Sequence, residues 1–179
     1  MFVQQGTNVK VSDLLSGIVI QSGNDASVAL AEHIAGSEKT FAEVMNQQAK
    51  LLNMNESHFM NATGLPDENH YTTASDLAKL TMAHISDHPE HYKLYSKREF
   101  TYNKIRQYNR NQLLWRDESV DGVKTGQTDG RFNLVSSAVR DGKRFISVVI
   151  GAKSNEGGAV ESQKLLNYGF ISSLGAPRI

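Results

Sequence analysis

The first half of the chain has apolar residues at helical spacing, and breaker residues divide it into segments. Residues 11–20 form the first segment, with Ser12 as the expected N-cap. Residues 21–24 interrupt it, and a second segment runs from about Asp25 to Ala35, where Gly36 is expected to end the helix. The sequence therefore predicts two consecutive helices. The first is expected to bury one apolar face: Val11, Leu14, Leu15 and Ile18.

Two more helices are predicted before the middle of the chain. Ser37 is expected to cap the third helix. Residues 61–73 contain several breaker residues and no periodicity, so they are predicted as a loop. Thr73 to Asp76 resembles a capping box for the fourth helix, and Pro89 ends it or begins a short new one. The apolar residues expected to face inward are Phe41, Val44, Met45, Leu52, Leu77, Leu80 and Ile85.

The second half of the chain changes to a strand pattern. From residue 99 onward, apolar and polar residues alternate, which predicts short strands. Residues 133–140 and 143–152 are strand-like runs joined by Asp141-Gly142, the preferred residues of a two-residue hairpin turn. Residues 161–170 are predicted as a C-terminal helix. Its expected inward side chains are Leu165, Leu166 and Phe170.

Helices in the first half, followed by antiparallel strands and one helix, predict an α+β fold with helices packed on an antiparallel sheet. The length of 179 residues suits one domain with a core of its own. No repeat or linker divides the sequence, so we predict a single domain, or part of one, over residues 1–179.

Composition narrows the possible functions. Lys plus Arg and Asp plus Glu balance at 19 each, so no basic surface favours a nucleic acid. The absence of cysteine excludes disulfides and thiol nucleophiles. No apolar stretch approaches the roughly 20 residues that span a membrane. Residues 1–10 are polar, and they lack the apolar region of a signal peptide.

Two short motifs carry candidate chemistry, Ser22-Gly23-Asn24 between two helices and Lys124-Thr125-Gly126 before the hairpin. Serine acyl-transfer enzymes use an S-x-x-K helix, an S-x-N loop and a K-T-G strand. A lysine eases deprotonation of a serine and stabilises negative charge, whereas an asparagine can hold an amide. A glycine on a strand lets a substrate backbone approach closely. In isolation, either triplet is more often an ordinary turn or a chance match than a catalytic motif.

Longer blocks of sequence resemble the low-molecular-mass penicillin-binding proteins, which are serine-type D-alanyl-D-alanine carboxypeptidases of peptidase family S11. The resemblance extends from about Val11 to Phe170. Its blocks are QSGNDASVALAEHIAGSEKTFAEVMN, FMNATGLPDENHYTTASDLAKL, FTYNKIRQYNRNQLLW and VDGVKTGQTDGRFNLVSSAVRDGKRFISVVIGA.

This resemblance implies the fold shared by serine β-lactamases and penicillin-binding transpeptidases. It also implies removal of the terminal D-alanine from peptidoglycan stem peptides through an acyl-enzyme, which β-lactams mimic. The expected partners are a stem peptide ending in D-Ala-D-Ala and β-lactam inhibitors, with no nucleic acid, metal or organic cofactor. Relatives are periplasmic and associated with the inner membrane, through an anchor that this chain lacks.

The resemblance also implies roles for seven residues. Ser22 would work with Lys124 in moving a proton to the leaving D-alanine, and Asn24 would bind the peptide. Arg110 would attract the terminal carboxylate through charge-assisted hydrogen bonds, and the alternative is a solvated arginine or a structural salt bridge. The remaining expected substrate-binding residues are Thr125, Gly126 and Thr128.

One motif of the family is missing, because no serine of the chain has a lysine three residues later. The sequence therefore predicts a domain that is incomplete at its N-terminus, with the nucleophile outside this chain. An incomplete domain would expose part of its core, so we expect low stability or self-association. One alternative is an inactive remnant that at most binds the substrate carboxylate. Another is a serine β-lactamase, which the absence of an obvious deacylating glutamate disfavours.

Other candidates have structural explanations. His84, His88 and His91 could suggest a metal site, but Pro89 interrupts the helix, so solvent-facing histidines are predicted. Trp115 is expected to pack in the core.

Overall fold

The structure is a computed structural model that describes residues 1–174. The chain divides into two compact units, Met1–Arg110 and Asn111–Ile179. The assignment of residues 1–179 to a single domain stays a prediction, and residues 175–179 lie outside the described part.

Helices dominate the first unit. The antiparallel strands β1 and β2 form a hairpin that contacts α1. The elements of this unit are α1 (Val11–Gln21), α2 (Asn24–Ala35), α3 (Glu38–Leu51), α4 (Ala74–Asp87), α5 (Pro89–Tyr92), a 3₁₀ turn (Lys93–Ser96), β1 (Glu99–Tyr102) and β2 (Ile105–Tyr108).

Most predicted helix ends in the first unit are confirmed. Gly36 ends α2 with a φ of 79°, in the left-handed region that glycine tolerates best. The Ser37 hydroxyl accepts a hydrogen bond from the Thr40 N–H at 3.0 Å, as an N-cap should. Pro89 begins a short helix. The prediction for Ser12 was wrong, because α1 already begins at Val11 and its N-cap is Lys10.

The prediction of which apolar side chains face inward on the first four helices was partly wrong. Val11, Val44 and Leu80 are exposed, although their spacing predicted buried positions. Helix α2 packs against both α1 and α3, and the buried apolar residues of α2 and α3 are small. The buried alanines of these helices are Ala26, Ala31, Ala42 and Ala49.

The second unit is a three-stranded antiparallel sheet covered by a long helix. Its strands pair in the order β3-β4-β5, and α7 packs on β4 and β5. The elements are α6 (Leu113–Arg116), β3 (Val120–Thr128), β4 (Arg131–Arg140), β5 (Lys143–Ala152) and α7 (Asn155–Leu174). This arrangement confirms the predicted α+β class.

The core of the second unit lies between the sheet and α7. Leu134 of β4 packs there with Leu166 and Phe170 of α7, so the prediction for the last two is confirmed. The prediction for Leu165 was wrong, because this side chain is 48% exposed and lies about 100° around the helix from Leu166. Trp115 is 46% exposed, so its predicted core position was also wrong.

Candidate active site

The Ser22-Gly23-Asn24 motif forms the turn between α1 and α2. Ser22 ends α1 in the left-handed conformation, with φ 60° and ψ 44°. Its N–H donates to the Ile18 carbonyl at 3.1 Å, and the Gly23 N–H donates to the Gly17 carbonyl at 3.0 Å. Asn24 is the first residue of α2. The two candidate residues are therefore held by the ends of two helices.

The left-handed backbone at Ser22 is strained. A residue with a Cβ pays roughly 1–2 kcal/mol in this region compared with the right-handed helix. Such strain persists where the surrounding structure over-determines the backbone, and it concentrates at functional sites. A left-handed residue is also a common way for a helix to end, so the conformation accounts for the end of α1 and does not by itself mark a site.

Asp25 fixes the backbone that surrounds the motif. A Cβ on Gly23 would lie 2.9 Å from Asp25 Oδ1, so the chain here is packed too closely for a larger residue. The Asp25 carboxylate accepts hydrogen bonds from the Val3 N–H at 2.8 Å and the Ala26 N–H at 2.9 Å. Burial raises the pKa of Asp25, but hydrogen bonds, among them those from Val3 and Ala26, hold it below its ordinary value. Sequence reasoning missed this residue.

A cavity of about 610 Å³ in the first unit is bordered by Asn24. The loop at residues 61–65 forms part of its wall, and Glu38 holds this loop by accepting the Ala62 N–H at 3.0 Å. Asn24 can therefore be reached by a ligand in this cavity. The other residues that line it are Val3, Gln5, Asp25, Val28, Ala29 and Glu32.

Arg110 follows β2 in the first unit and is exposed. The preceding Asn109 is buried, and its Nδ2 donates to the Lys97 carbonyl at 2.9 Å. In the described part of the chain, no carboxylate forms an ion pair with Arg110, which argues against a structural salt bridge. A charged guanidinium on an anchored backbone is suited to attract a carboxylate.

The second unit carries the other four candidates, all on β3. The Lys124 ammonium donates to the Thr125 carbonyl at 2.7 Å. Because side chains alternate along a strand, Lys124, Gly126 and Thr128 share one face of β3. Thr125 pairs with Leu134, whose side chain is in the core, and therefore points to the other face.

The packing of the second unit does not require a glycine at position 126. Its φ is not positive, and an added Cβ would meet Asn133 at 3.7 Å, an ordinary contact distance. The fold of the described residues therefore tolerates a side chain at this position.

Asn111 is hydrogen-bonded to β3 near Lys124, and the sequence analysis gave it no role. It is fully buried, and its Nδ2 donates to the Gly122 carbonyl at 3.0 Å. Its Oδ1 accepts the Leu113 N–H at 3.1 Å. A buried amide with both ends bonded holds the chain two residues ahead of Lys124. The signal that could have found it is a polar residue two positions before the apolar pair Leu113-Leu114.

No group of three or more potential metal ligands lies together among residues 1–174. His88 and His91 are exposed as predicted, but His84 is half-buried and its Nε2 has no hydrogen-bond partner, so that part of the prediction was wrong. Burial lowers the pKa of His84, and the neighbouring His88 and His91 lower it further. In the described residues, no helix combines the length and apolar character needed to cross a membrane.

Residues 1–154 match the family Peptidase S11, described as D-alanyl-D-alanine carboxypeptidase. Among curated proteins, the D-alanyl-D-alanine carboxypeptidase DacC of Escherichia coli is 48% identical over 172 residues. The match covers 95% of this chain and 43% of that protein. The chain thus spans about half the length of the relatives it matches.

Solved structures agree in fold. Penicillin binding protein 5 from Haemophilus influenzae matches with a TM-score of 0.92 and 46% identity, over 96% of this chain and 51% of that one. Penicillin-Binding Protein D2 from Listeria monocytogenes, in its ampicillin-bound form, matches with a TM-score of 0.85 and 35% identity. That match covers 93% of this chain and 70% of the other. The predicted penicillin-binding type of fold is therefore confirmed.

Proposed function

Because the chain belongs to the peptidase S11 family of D-alanyl-D-alanine carboxypeptidases, we propose that it forms part of a serine-type carboxypeptidase. The enzyme removes the terminal D-alanine from peptidoglycan stem peptides. The observation that carries this proposal is the family match over residues 1–154, which includes every candidate site residue. The cavity bordered by Asn24, at the turn between α1 and α2, supports it.

The reaction proceeds through an acyl-enzyme. A serine oxygen attacks the carbonyl carbon of the penultimate D-alanine, and the bond to the terminal D-alanine breaks. The leaving amine takes up a proton, which the Ser22 hydroxyl passes on with the help of Lys124. Water then hydrolyses the ester and frees the serine. β-Lactams enter the same pathway when their strained amide acylates the serine.

The other candidate residues position the substrate. The Asn24 amide can both donate to and accept from the peptide backbone. Arg110 attracts the terminal carboxylate and Thr128 binds it. Thr125 points to the core face of β3, so it can contribute to binding only through its backbone. Gly126 lets the substrate backbone lie against β3 without a steric clash.

We assign the nucleophile to a segment outside this chain, because none of its serines has a lysine three residues later. The substrate is part of the cell wall, so the complete protein acts in the periplasm, at the outer face of the inner membrane.

A chimera tests this function. The region of the Escherichia coli DacC that precedes the matched segment is joined to residue 1 of this chain, and D-alanine release from a peptide ending in D-Ala-D-Ala is measured. We expect release, and a loss of roughly 10²–10⁴-fold in kcat/KM on Lys124→Ala, because proton transfer contributes about that much. Lys164→Ala, on exposed α7 surface, is the matched control and should leave the rate unchanged.

A folded chimera that releases no D-alanine would contradict the proposal. So would full activity of the Lys124→Ala chimera. Circular dichroism of each protein shows whether it has folded.

A further inference from the structure

The loop segment at residues 61–65 forms one wall of the cavity next to Asn24. Thr63 and Leu65 line the cavity from this segment, and Asn24 lines it from the start of α2. The width of the cavity at Asn24 therefore depends on where the segment lies relative to α2. A ligand that reaches Asn24 through the cavity is bounded by the same segment.

The shape of the segment is fixed from within by Asn61. Its Oδ1 accepts hydrogen bonds from the Gly64 N–H at 2.7 Å and the Thr63 N–H at 3.2 Å. Its Nδ2 donates to the Leu65 carbonyl at 3.0 Å. An asparagine that bonds the backbone just after itself forms a compact turn. All these bonds are internal to the segment, so they do not fix its position on the rest of the unit.

The position of the segment is fixed by two side chains of α3. Asn46 exchanges two hydrogen bonds with the backbone of Phe59, each of 2.8 Å, and so holds the chain before the segment. Glu38 Oε1 accepts the Ala62 N–H at 3.0 Å and so holds the segment itself. Because α3 packs on α2, the bond to Glu38 sets the segment against the helix that carries Asn24.

The Glu38 carboxylate has no other task in the described residues that would explain its place. Ser37 already caps α3, because its hydroxyl accepts the Thr40 N–H at 3.0 Å. Among residues 1–174, no lysine, arginine or histidine forms an ion pair with Glu38. Its side chain is half-buried and borders the cavity. Glu38 thus acts on the segment as a hydrogen-bond acceptor, and its negative charge is not needed for that contact.

We propose that Glu38 is a positioning residue for the substrate of the carboxypeptidase. By accepting the Ala62 N–H, it holds residues 61–65 at the distance from Asn24 that the bound stem peptide requires. This inference rests on the proposed function. A segment released from Glu38 must be ordered again whenever substrate binds, which weakens binding. Glu38 acts through the segment, so the chemical step itself is unaffected.

Kinetics of the DacC chimera test the inference. Glu38→Ala should raise KM roughly three- to tenfold, as expected for the loss of one hydrogen bond, and leave kcat unchanged. Glu38→Gln keeps an acceptor oxygen without the charge, so its KM should stay near that of the wild type. Ser37→Ala is the matched control, because it weakens the start of the same helix without touching the segment. It should lower the melting temperature and leave KM unchanged.

Hydrogen exchange on the 179-residue chain, measured by mass spectrometry, tests the anchor without any activity. Exchange at residues 61–65 should be faster in Glu38→Ala than in the wild type, Glu38→Gln or Ser37→Ala. Unchanged exchange in Glu38→Ala would refute the anchor, whereas an inactive wild-type chimera would contradict the proposed function and, with it, a role in substrate binding.

Three results in an active chimera would overturn the positioning role. The first is an unchanged KM in Glu38→Ala. The second is a Glu38→Gln variant as impaired as Glu38→Ala, which would show that the charge acts on the ligand directly. The third is a KM raised equally by Ser37→Ala, which would show that general weakening of α3 is the cause.

Discussion

Arg140 donates from Nη2 to Oδ2 of Asp117 over 2.6 Å, and this ion pair ties the end of β4 to the segment that precedes β3. Asp117 also accepts hydrogen bonds from the Ser119 N–H at 2.9 Å and Gln163 Nε2 at 2.7 Å. The Arg140 guanidinium lies 4.4 Å from the centre of the Phe170 ring. One mostly buried carboxylate therefore links β3, β4 and α7 on the side of the unit that holds its core.

The Asp117 site makes the stability of the second unit sensitive to acid. Burial raises the pKa of this carboxyl, but the hydrogen bonds from Ser119, Gln163 and Arg140 outweigh it and lower the pKa from 3.8 to about 2. The stabilisation is present above the unfolded value near 3.8, and it is lost as pH falls toward about 2. Asp117→Asn should cost about 1–2 kcal/mol at pH 7, after allowance for partial exposure.

Urea unfolding at several pH values between 2 and 7 measures this effect. Asp117→Asn should lose less stability than the wild type between pH 4 and pH 2, because the titrating group is gone. Asp129→Asn removes an exposed carboxylate from a turn, is the control, and should lose stability in acid as the wild type does. Equal acid sensitivity of Asp117→Asn and the wild type would refute the assignment.

Asp76 is a structural residue of the first unit, and its loss should be costly. It is 1% exposed and accepts hydrogen bonds from the Glu56 N–H at 2.9 Å, Ser57 Oγ at 2.8 Å and Lys79 Nζ at 2.7 Å. Asp76→Ala leaves these donors without their acceptor, so thermal unfolding should occur several degrees lower. Asp87→Ala, at an exposed position of the same helix, should melt like the wild type. Matching melting curves for the two variants would be inconsistent with this role.

Ser22 allows its backbone strain to be measured separately from its hydroxyl. Both Ser22→Gly and Ser22→Ala remove the hydroxyl, but glycine adopts a φ of 60° without a steric penalty. The glycine variant should therefore be more stable than the alanine variant by about 1 kcal/mol or more. Denaturant unfolding of both proteins gives the difference directly. A more stable alanine variant would show that Ser22 is not strained.

Gly126 and Gly169 should respond in opposite ways to replacement by alanine. A Cβ on Gly126 meets Asn133 at 3.7 Å, whereas one on Gly169 would lie 2.8 Å from the Phe145 ring. Gly126→Ala should unfold like the wild type, yet raise the KM of the chimera for its peptide. Gly169→Ala should lose about 1–3 kcal/mol of stability through overpacking. If Gly126→Ala instead left KM unchanged, the substrate would not approach β3 at this residue.

The sequence predicted features that depend on local chemistry. Asp141-Gly142 was predicted as a two-residue turn, and both residues have the positive φ that such a turn needs. Ser37 was predicted as a cap and makes the expected bond. The two motifs were placed correctly on a turn between helices and on a strand. The catalytic and binding roles of their residues depend on the family resemblance, because short triplets do not specify a substrate.

Features that depend on tertiary packing were not predictable in the same way. Helix α7 begins at Asn155, six residues before the predicted start at Glu161. The prediction missed these residues because Gly157 and Gly158 have low helix propensity. Gly158 is buried and has Ala152 of β5 nearby, so close packing accounts for a residue that disfavours helices. Trp115 was wrongly placed in the core, because α6 is a single turn that buries Leu113 and Leu114 instead.

The most direct test of the central claim is the intact mass of the purified 179-residue chain after incubation with benzylpenicillin, measured beside the DacC chimera. We predict no added mass on the chain alone and a stoichiometric penicilloyl adduct on the chimera, because the proposed function assigns the nucleophile to a segment outside this chain and the other site residues to this chain. An adduct on the chain alone, with Ser22 as the first residue to examine, would contradict this division of the site. A folded chimera that remains unmodified would contradict the proposed function itself.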